Sequence, residues 1–173
     1  MKIESPAFTL DHLRGFMDGY LDRERNLLAD RLQAASERLA ALAPRIEAEP
    51  SEEADWNAHE LLAHIAVLSK FYGVLVHRIS RGQTPNMDLL QAVHLRDNAG
   101  KQMAELEPAE LMKMTLADHE RTIKTLRTTD PNDLRRSAEL GEGITMTAEE
   151  VARLPLISHL ELHIEQLEKL LGR

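Results

Sequence analysis

Aliphatic residues that recur at steps of three and four constrain this chain most strongly. Such spacing places side chains along one face of an α-helix. Aromatic residues make up only 3% of the 173 residues, so a core must be aliphatic; strands, by contrast, favour aromatic and β-branched residues. The pattern therefore predicts an all-α protein, a four-helix bundle that forms a single domain over 1–173. The clearest example of this spacing is Met112, Leu116, His119, Ile123 and Leu126, in which only His119 is not apolar.

Capping signals and prolines set the predicted helix ends. Asn57 with Glu60, and Thr147 with Glu150, have the spacing of a capping box, and Pro108 suits a first helical position. We predict helices over about 9–43, 57–80, 108–127 and 148–171. Pro155 predicts a kink in the last helix, or a later start of that helix at Pro155 itself.

The first predicted helix carries one apolar stripe, which we expect to face the core. The stripe consists of Leu10, Leu13, Met17, Tyr20, Leu27 and Leu28.

Two connections separate the later helices. The connection over 81–107 is long and has a possible short helix over 88–96, and the connection over 128–143 is a polar loop.

Charge and cysteine content narrow the function classes. The chain has 21 basic and 29 acidic residues, a formal charge of −8, so we expect no nucleic-acid partner. The absence of cysteine excludes disulfides and thiolate metal ligands. With no apolar leader or membrane-length run, we expect a cytoplasmic protein with no membrane partner.

Three histidines fall on predicted inward faces. His159 and His163 are one turn apart, so their rings project about 40° from each other and can converge on one ion. His64 lies on the inward face of the second helix. The spacing predicts a divalent metal site at His64, His159 and His163, with at least one coordination position open. The alternative is a set of core histidines that are only hydrogen-bonded.

Three further residues are candidates for a catalytic role. His119, on the seam of the third helix, is a candidate fourth ligand or proton donor, or else a core histidine. Glu60 precedes His64 by one turn and is a candidate to orient its ring, although capping explains it equally well. Gln166, near His163, could contact a metal-bound water; a surface glutamine is the alternative.

Two motifs resemble those of the DinB/YfiT-like superfamily of helical bundles. The first is WNAHELLAHIA at 56–66; the second is GITMT at 143–147 followed by HLELHIEQL at 159–167. The resemblance implies a metal, Zn²⁺ or Ni²⁺, at the three matching histidines, and a homodimer. It also implies a small-molecule substrate, since characterised relatives include transferases that use low-molecular-weight thiols such as bacillithiol or mycothiol, and a maleylpyruvate isomerase.

One position departs from the pattern of some members. They carry Glu directly after the first histidine of the final pair, whereas this chain has Leu160, which weighs against a hydrolase of the His-Glu-x-x-His type. We therefore expect a metal-dependent enzyme, a thiol-dependent S-transferase or a hydrolase acting on a small molecule. The alternative is a non-catalytic helical dimer with a structural or vestigial metal site.

Overall fold

A computed structural model describes residues 8–48, 56–83, 99–100, 102–141 and 143–172. Within them the predicted all-α bundle is confirmed. The expected short helix over 88–96 lies outside the described residues. The long helices are α1 (Leu10–Leu42), α2 (Ala58–Ser80), α3 (Pro108–Thr128), and α4 (Ala148–Val151) continued through a π-helical segment (Ala152–Ser158) into α5 (His159–Leu170).

Contacts between the helices fix their directions. Ser69 of α2 pairs with His119 of α3, and Gly73 packs on Thr122 one turn later, so α2 and α3 run the same way. Two parallel neighbours cannot be joined by a tight turn, because the chain must return along the bundle. A 23-residue helix such as α2 is about 35 Å long, which explains why a connection as long as 81–107 separates α2 from α3.

Ion pairs hold α5 against α1. Arg31 contacts Glu161 at 2.6 Å, and Arg38 contacts Glu168 at 3.0 Å. Both pairs advance by seven residues along each helix, so α1 and α5 run parallel and keep one rotational register. The opposite face of α5 carries His159 and His163, whose rings lie beside that of His64 on α2.

The last helix widens at Pro155, where the sequence predicts a kink. Proline lacks an N–H and clashes with the preceding turn of an α-helix. The seven residues around it are π-helical instead: the His159 N–H donates to the carbonyl of Leu154, five residues back. The Ser158 hydroxyl likewise donates to the Arg153 carbonyl at 2.9 Å. The predicted disturbance at Pro155 is therefore a π-helical segment. The alternative, a helix that begins only at Pro155, is wrong, because α-helix already begins at Ala148.

The predicted polar loop 128–143 contains more structure than expected. A 3₁₀ turn (Asp133–Arg135) leads into strand β1 (Ser137–Glu139), which pairs antiparallel with β2 (Thr145–Thr147). Burial of Ala138 and Leu140, with Glu139 exposed between them, gives the alternation of a half-buried strand. This alternation was too short to outweigh the surrounding polar residues.

The predicted core stripe of α1 is wrong for five of its six residues. Only Leu28 is buried; the exposed members are Leu10, Leu13, Met17, Tyr20 and Leu27, hereafter the α1 stripe. Length explains the difference, because α1 has 33 residues against 23 in α2 and 21 in α3. The surplus extends past its neighbours, and continuous burial on α1 begins near Leu28.

The core is aliphatic, as the composition requires, and α2 contributes most to it. This helix is long and apolar enough to cross a membrane by composition alone. However, 72% of its most apolar window is buried inside the bundle, which is the pattern of a core helix in a soluble protein. A second 3₁₀ turn (Ala43–Arg45) follows α1.

Candidate metal centre

The start of α2 positions the first predicted metal ligand. The Asn57 side chain accepts a hydrogen bond from the Glu60 N–H at 2.8 Å, and the Glu60 carboxylate accepts one from the Asn57 N–H at 3.1 Å. This capping box fixes where the helix begins, and His64 follows one turn later, buried on the inward face. Glu60 is therefore engaged as a cap, and the structure shows it in that role.

The other two predicted ligands come from the first turns of α5. The Nε2 atoms of His159 and His163 are 2.8 Å apart. The His64 ring centroid lies 4.8 Å from that of His163 and 5.9 Å from that of His159. One ring nitrogen from each of the three histidines lies within 4.8 Å of the other two. The structure thus brings together the three residues that the spacing selected.

Gln166 contacts the site through His163. Its amide oxygen lies 2.7 Å from Nδ1 of that ring. Since an amide oxygen can only accept, Nδ1 carries the hydrogen, and Nε2 of the neutral ring presents a lone pair toward His159. Gln166 therefore fixes the tautomer that ligation requires, as partners of metal-bound histidines commonly do.

The donor set fits a divalent metal. Three neutral imidazoles are ligands that zinc, nickel and similar ions accept, and three protein ligands leave a position for water or substrate. His64 and His163 are buried whereas His159 is partly exposed, so one side of the cluster reaches solvent. The arrangement can hold an ion.

Trp56 forms a wall of the site that spacing alone does not reveal. Its ring centroid is 4.6 Å from that of His64 and 6.5 Å from that of His163, yet the residue is 49% exposed. It directly precedes the Asn57 cap, so the capping box that starts α2 also places the indole beside the histidines. The sequence signal was its position in the first motif.

The sequence matches the profile of a known protein family. The profile of the DinB superfamily matches residues 20–167, which include all three histidines. The chain belongs to the DinB superfamily. No curated protein and no solved structure matches it, so the family assignment carries the comparison alone.

In this DinB-superfamily bundle His119 lies apart from the metal cluster. Its ring is 1% exposed, with Nε2 at 2.8 Å from the Ser69 hydroxyl and Nδ1 at 3.1 Å from the Ser36 hydroxyl. These bonds join α1, α2 and α3. Burial lowers the pKa of His119 to about 4, although the neighbouring Asp118 carboxylate opposes the shift. The structure places His119 as a neutral core residue that links three helices.

The depressed pKa of His119 makes stability depend on pH. His119 of the unfolded chain binds a proton near pH 6.5, whereas in the folded chain it does so only near pH 4. This group therefore leaves the free energy of unfolding unchanged above pH 6.5 and lowers it as the pH falls. We expect a loss of up to about 3 kcal/mol at pH 4 from this residue. The measurement is denaturant unfolding from pH 7.5 to 4 for the wild type and His119→Gln.

The two proteins should differ in slope over this range, since only the wild type has this group to protonate. Should His119→Gln fail to fold, NMR titration of the wild-type His119 ring replaces it. A ring that titrates near pH 6.5 in the folded protein contradicts the prediction.

Proposed function

We propose that this chain is a metal-dependent enzyme that binds one Zn²⁺ or Ni²⁺ ion through His64, His159 and His163. The observation that supports it most is the convergence of three ring nitrogens within 4.8 Å, with His159 partly exposed. A bound ion would lower the pKa of a thiol or water at its open position.

The residues around the histidines favour a thiol over water as the activated group. Leu160, where some family members carry Glu, is fully buried in the core. The next residue, Glu161, is ion-paired with Arg31. Neither position therefore offers a free carboxylate as a base for hydrolysis. A metal-bound thiol would lose its proton to solvent more readily than metal-bound water, because a free thiol is already the stronger acid. Trp56 provides an apolar surface beside it.

The metal proposal predicts quenching of Trp56, the single tryptophan, when Ni²⁺ binds near its indole. We expect one equivalent of Ni²⁺ or Zn²⁺ per chain, measured by calorimetry and metal analysis, with fluorescence quenching by Ni²⁺. His163→Ala should weaken binding by at least about 100-fold, and Gln166→Leu by about tenfold through the lost tautomer restraint.

The control is His77→Ala, which removes an exposed histidine from α2, the helix that carries His64. It should bind metal like the wild type. Absence of metal uptake by the wild type, or an equal loss in His77→Ala, overturns the proposed site.

The thiol proposal is tested with Co²⁺ in place of the native ion. Adding 2-mercaptoethanol to the loaded protein should produce near-ultraviolet sulfur-to-cobalt charge-transfer absorption that saturates, because a thiolate would occupy the open position. Ethylene glycol, the matched alcohol, should produce none. A metal-loaded protein that shows no thiol-dependent band would favour the rival function, a helical dimer with a structural metal.

We further propose that the chain forms a homodimer through the α1 stripe. Its members follow heptad spacing over 10–27, and Phe8 stacks on Phe16 beside them at 6.1 Å. The seam position between Tyr20 and Leu27 is Glu24, which is ion-paired with Arg153 of the same chain. A three-four seam of this kind fits a second helix with the same spacing. An identical α1 from a second copy provides one in a two-fold arrangement.

Met17→Lys tests the dimer by placing a charge in the seam. We expect a dimer for the wild type by light scattering after gel filtration, and a monomer for Met17→Lys, since burying an unpaired ammonium opposes association. Val74→Lys is the matched control, because Val74 of α2 is 47% exposed and Met17 is 44% exposed. A monomeric wild type, or equal dissociation in both variants, contradicts the proposal.

A further inference from the structure

A cleft of about 430 Å³ lies between α2 and α3, and none of the three clustered histidines lines it. His64 and Val74, a residue of the cleft wall, are ten positions apart on α2, which is about 15 Å along the helix axis. The cleft has the volume of a small-molecule site. It is therefore a second candidate binding site, separate from the metal centre.

The close approach of the two helices forms the base of the cleft. A Cβ added at Gly73 would lie 2.4 Å from the Thr122 hydroxyl oxygen, so only glycine permits this contact. Ser69, also in the lining, is 1% exposed and is held by its bond to His119. The base is thus formed by buried residues, and the hydroxyls of Ser69 and Thr122 are already hydrogen-bonded within the protein.

The rim of the cleft is positively charged in an acidic protein. It carries four cations, Lys70, Arg78, Arg121 and Lys124. Among the residues that line the cleft the single carboxylate is Asp118, which forms an ion pair with Arg121. Among the described residues, Lys70, Arg78 and Lys124 make no ion pair. Three cations without a carboxylate partner therefore surround one cleft of a chain whose net charge is −8.

The parallel packing of α2 and α3 determines where these cations lie. Lys70 and Arg78 are eight residues apart on α2, about 12 Å along its axis. Lys124 follows Thr122, which contacts Gly73, so Lys124 lies at a level between the other two. Val74, half exposed, lies at the same level. Cationic groups therefore flank an apolar surface.

We propose that this cleft binds a small molecule with two or more anionic groups, phosphate or carboxylate, joined by a short apolar part. The cations attract the anionic groups, and Val74 contacts the apolar part. The exposed His77 in the lining can donate a ring N–H to the same groups. This proposal is independent of the metal proposal, because it uses none of the three clustered histidines.

The test measures binding of propane-1,3-bisphosphonate and of glutarate, which share a three-carbon spacer, to the full chain at low salt. Amide shifts in ¹H–¹⁵N NMR spectra should concentrate at cleft residues such as Val74 and Thr122. The triple variant Lys70→Gln, Arg78→Gln, Lys124→Gln should weaken binding of the preferred probe by at least about tenfold. The relative affinity of the two probes distinguishes a phosphate ligand from a carboxylate ligand.

A charge-matched control separates the effect of the cations at the cleft from the effect of the protein's net charge. Arg14→Gln, Arg23→Gln, Lys169→Gln removes three cations from positions outside the cleft and should retain wild-type binding. Shifts spread over the whole surface, or an equal loss in both triple variants, overturn the proposal. Retained binding in His163→Ala is expected, and it separates the fate of this site from that of the metal site.

Discussion

Burial of imidazole rings in an aliphatic core is the constraint on which the site depends. A buried neutral ring must pair a donor nitrogen and an acceptor nitrogen, or lose stability. His119 meets this need with two serine hydroxyls from neighbouring helices. His163 directs one nitrogen to Gln166 and the other toward His159. The same side chain is thus a structural link in one place and a candidate ligand in another, and the partners on its two nitrogens decide which.

Rotation of α5 is the second requirement of the cluster. The π-helical segment absorbs Pro155 without ending the helix, and His159 follows immediately. Beyond it, Glu161 and Glu168 are anchored to α1 by Arg31 and Arg38. Because these anchors lie on a different face of α5, they hold His159 and His163 toward α2. Pro155, which predicts a break in the helix, therefore lies in the π-helical segment just before His159 and His163. The wider turns of this segment change the direction in which the following side chains project.

Local signals in the sequence predicted much of this structure, and their limits have physical causes. Both capping boxes form as predicted, since a cap is decided within four residues. The spacing that selected His64, His159 and His163 also requires only helical geometry and adjacent inward faces. The α1 stripe was misassigned because periodicity does not report how far the neighbouring helices extend. The partners of His119, and the cations that meet between α2 and α3, depend on which helices are parallel, and composition cannot encode that.

The lack of cysteine and the identity of residue 160 together limit the chemistry that the chain can supply from its own residues. Leu160 packs in the core, so the turn between His159 and His163 contributes aliphatic surface to the bundle and ligands to the cluster, with Glu161 turned to Arg31. Under the proposed function, a thiol nucleophile would come from a cosubstrate, because the chain has no cysteine. The partly exposed His159 and the half-exposed Trp56 lie on the side where such a molecule would enter. Within the proposed function, the indole of Trp56 beside the histidines supports a ligand with a soft, weakly hydrated donor atom, and a thiolate meets that description better than hydroxide.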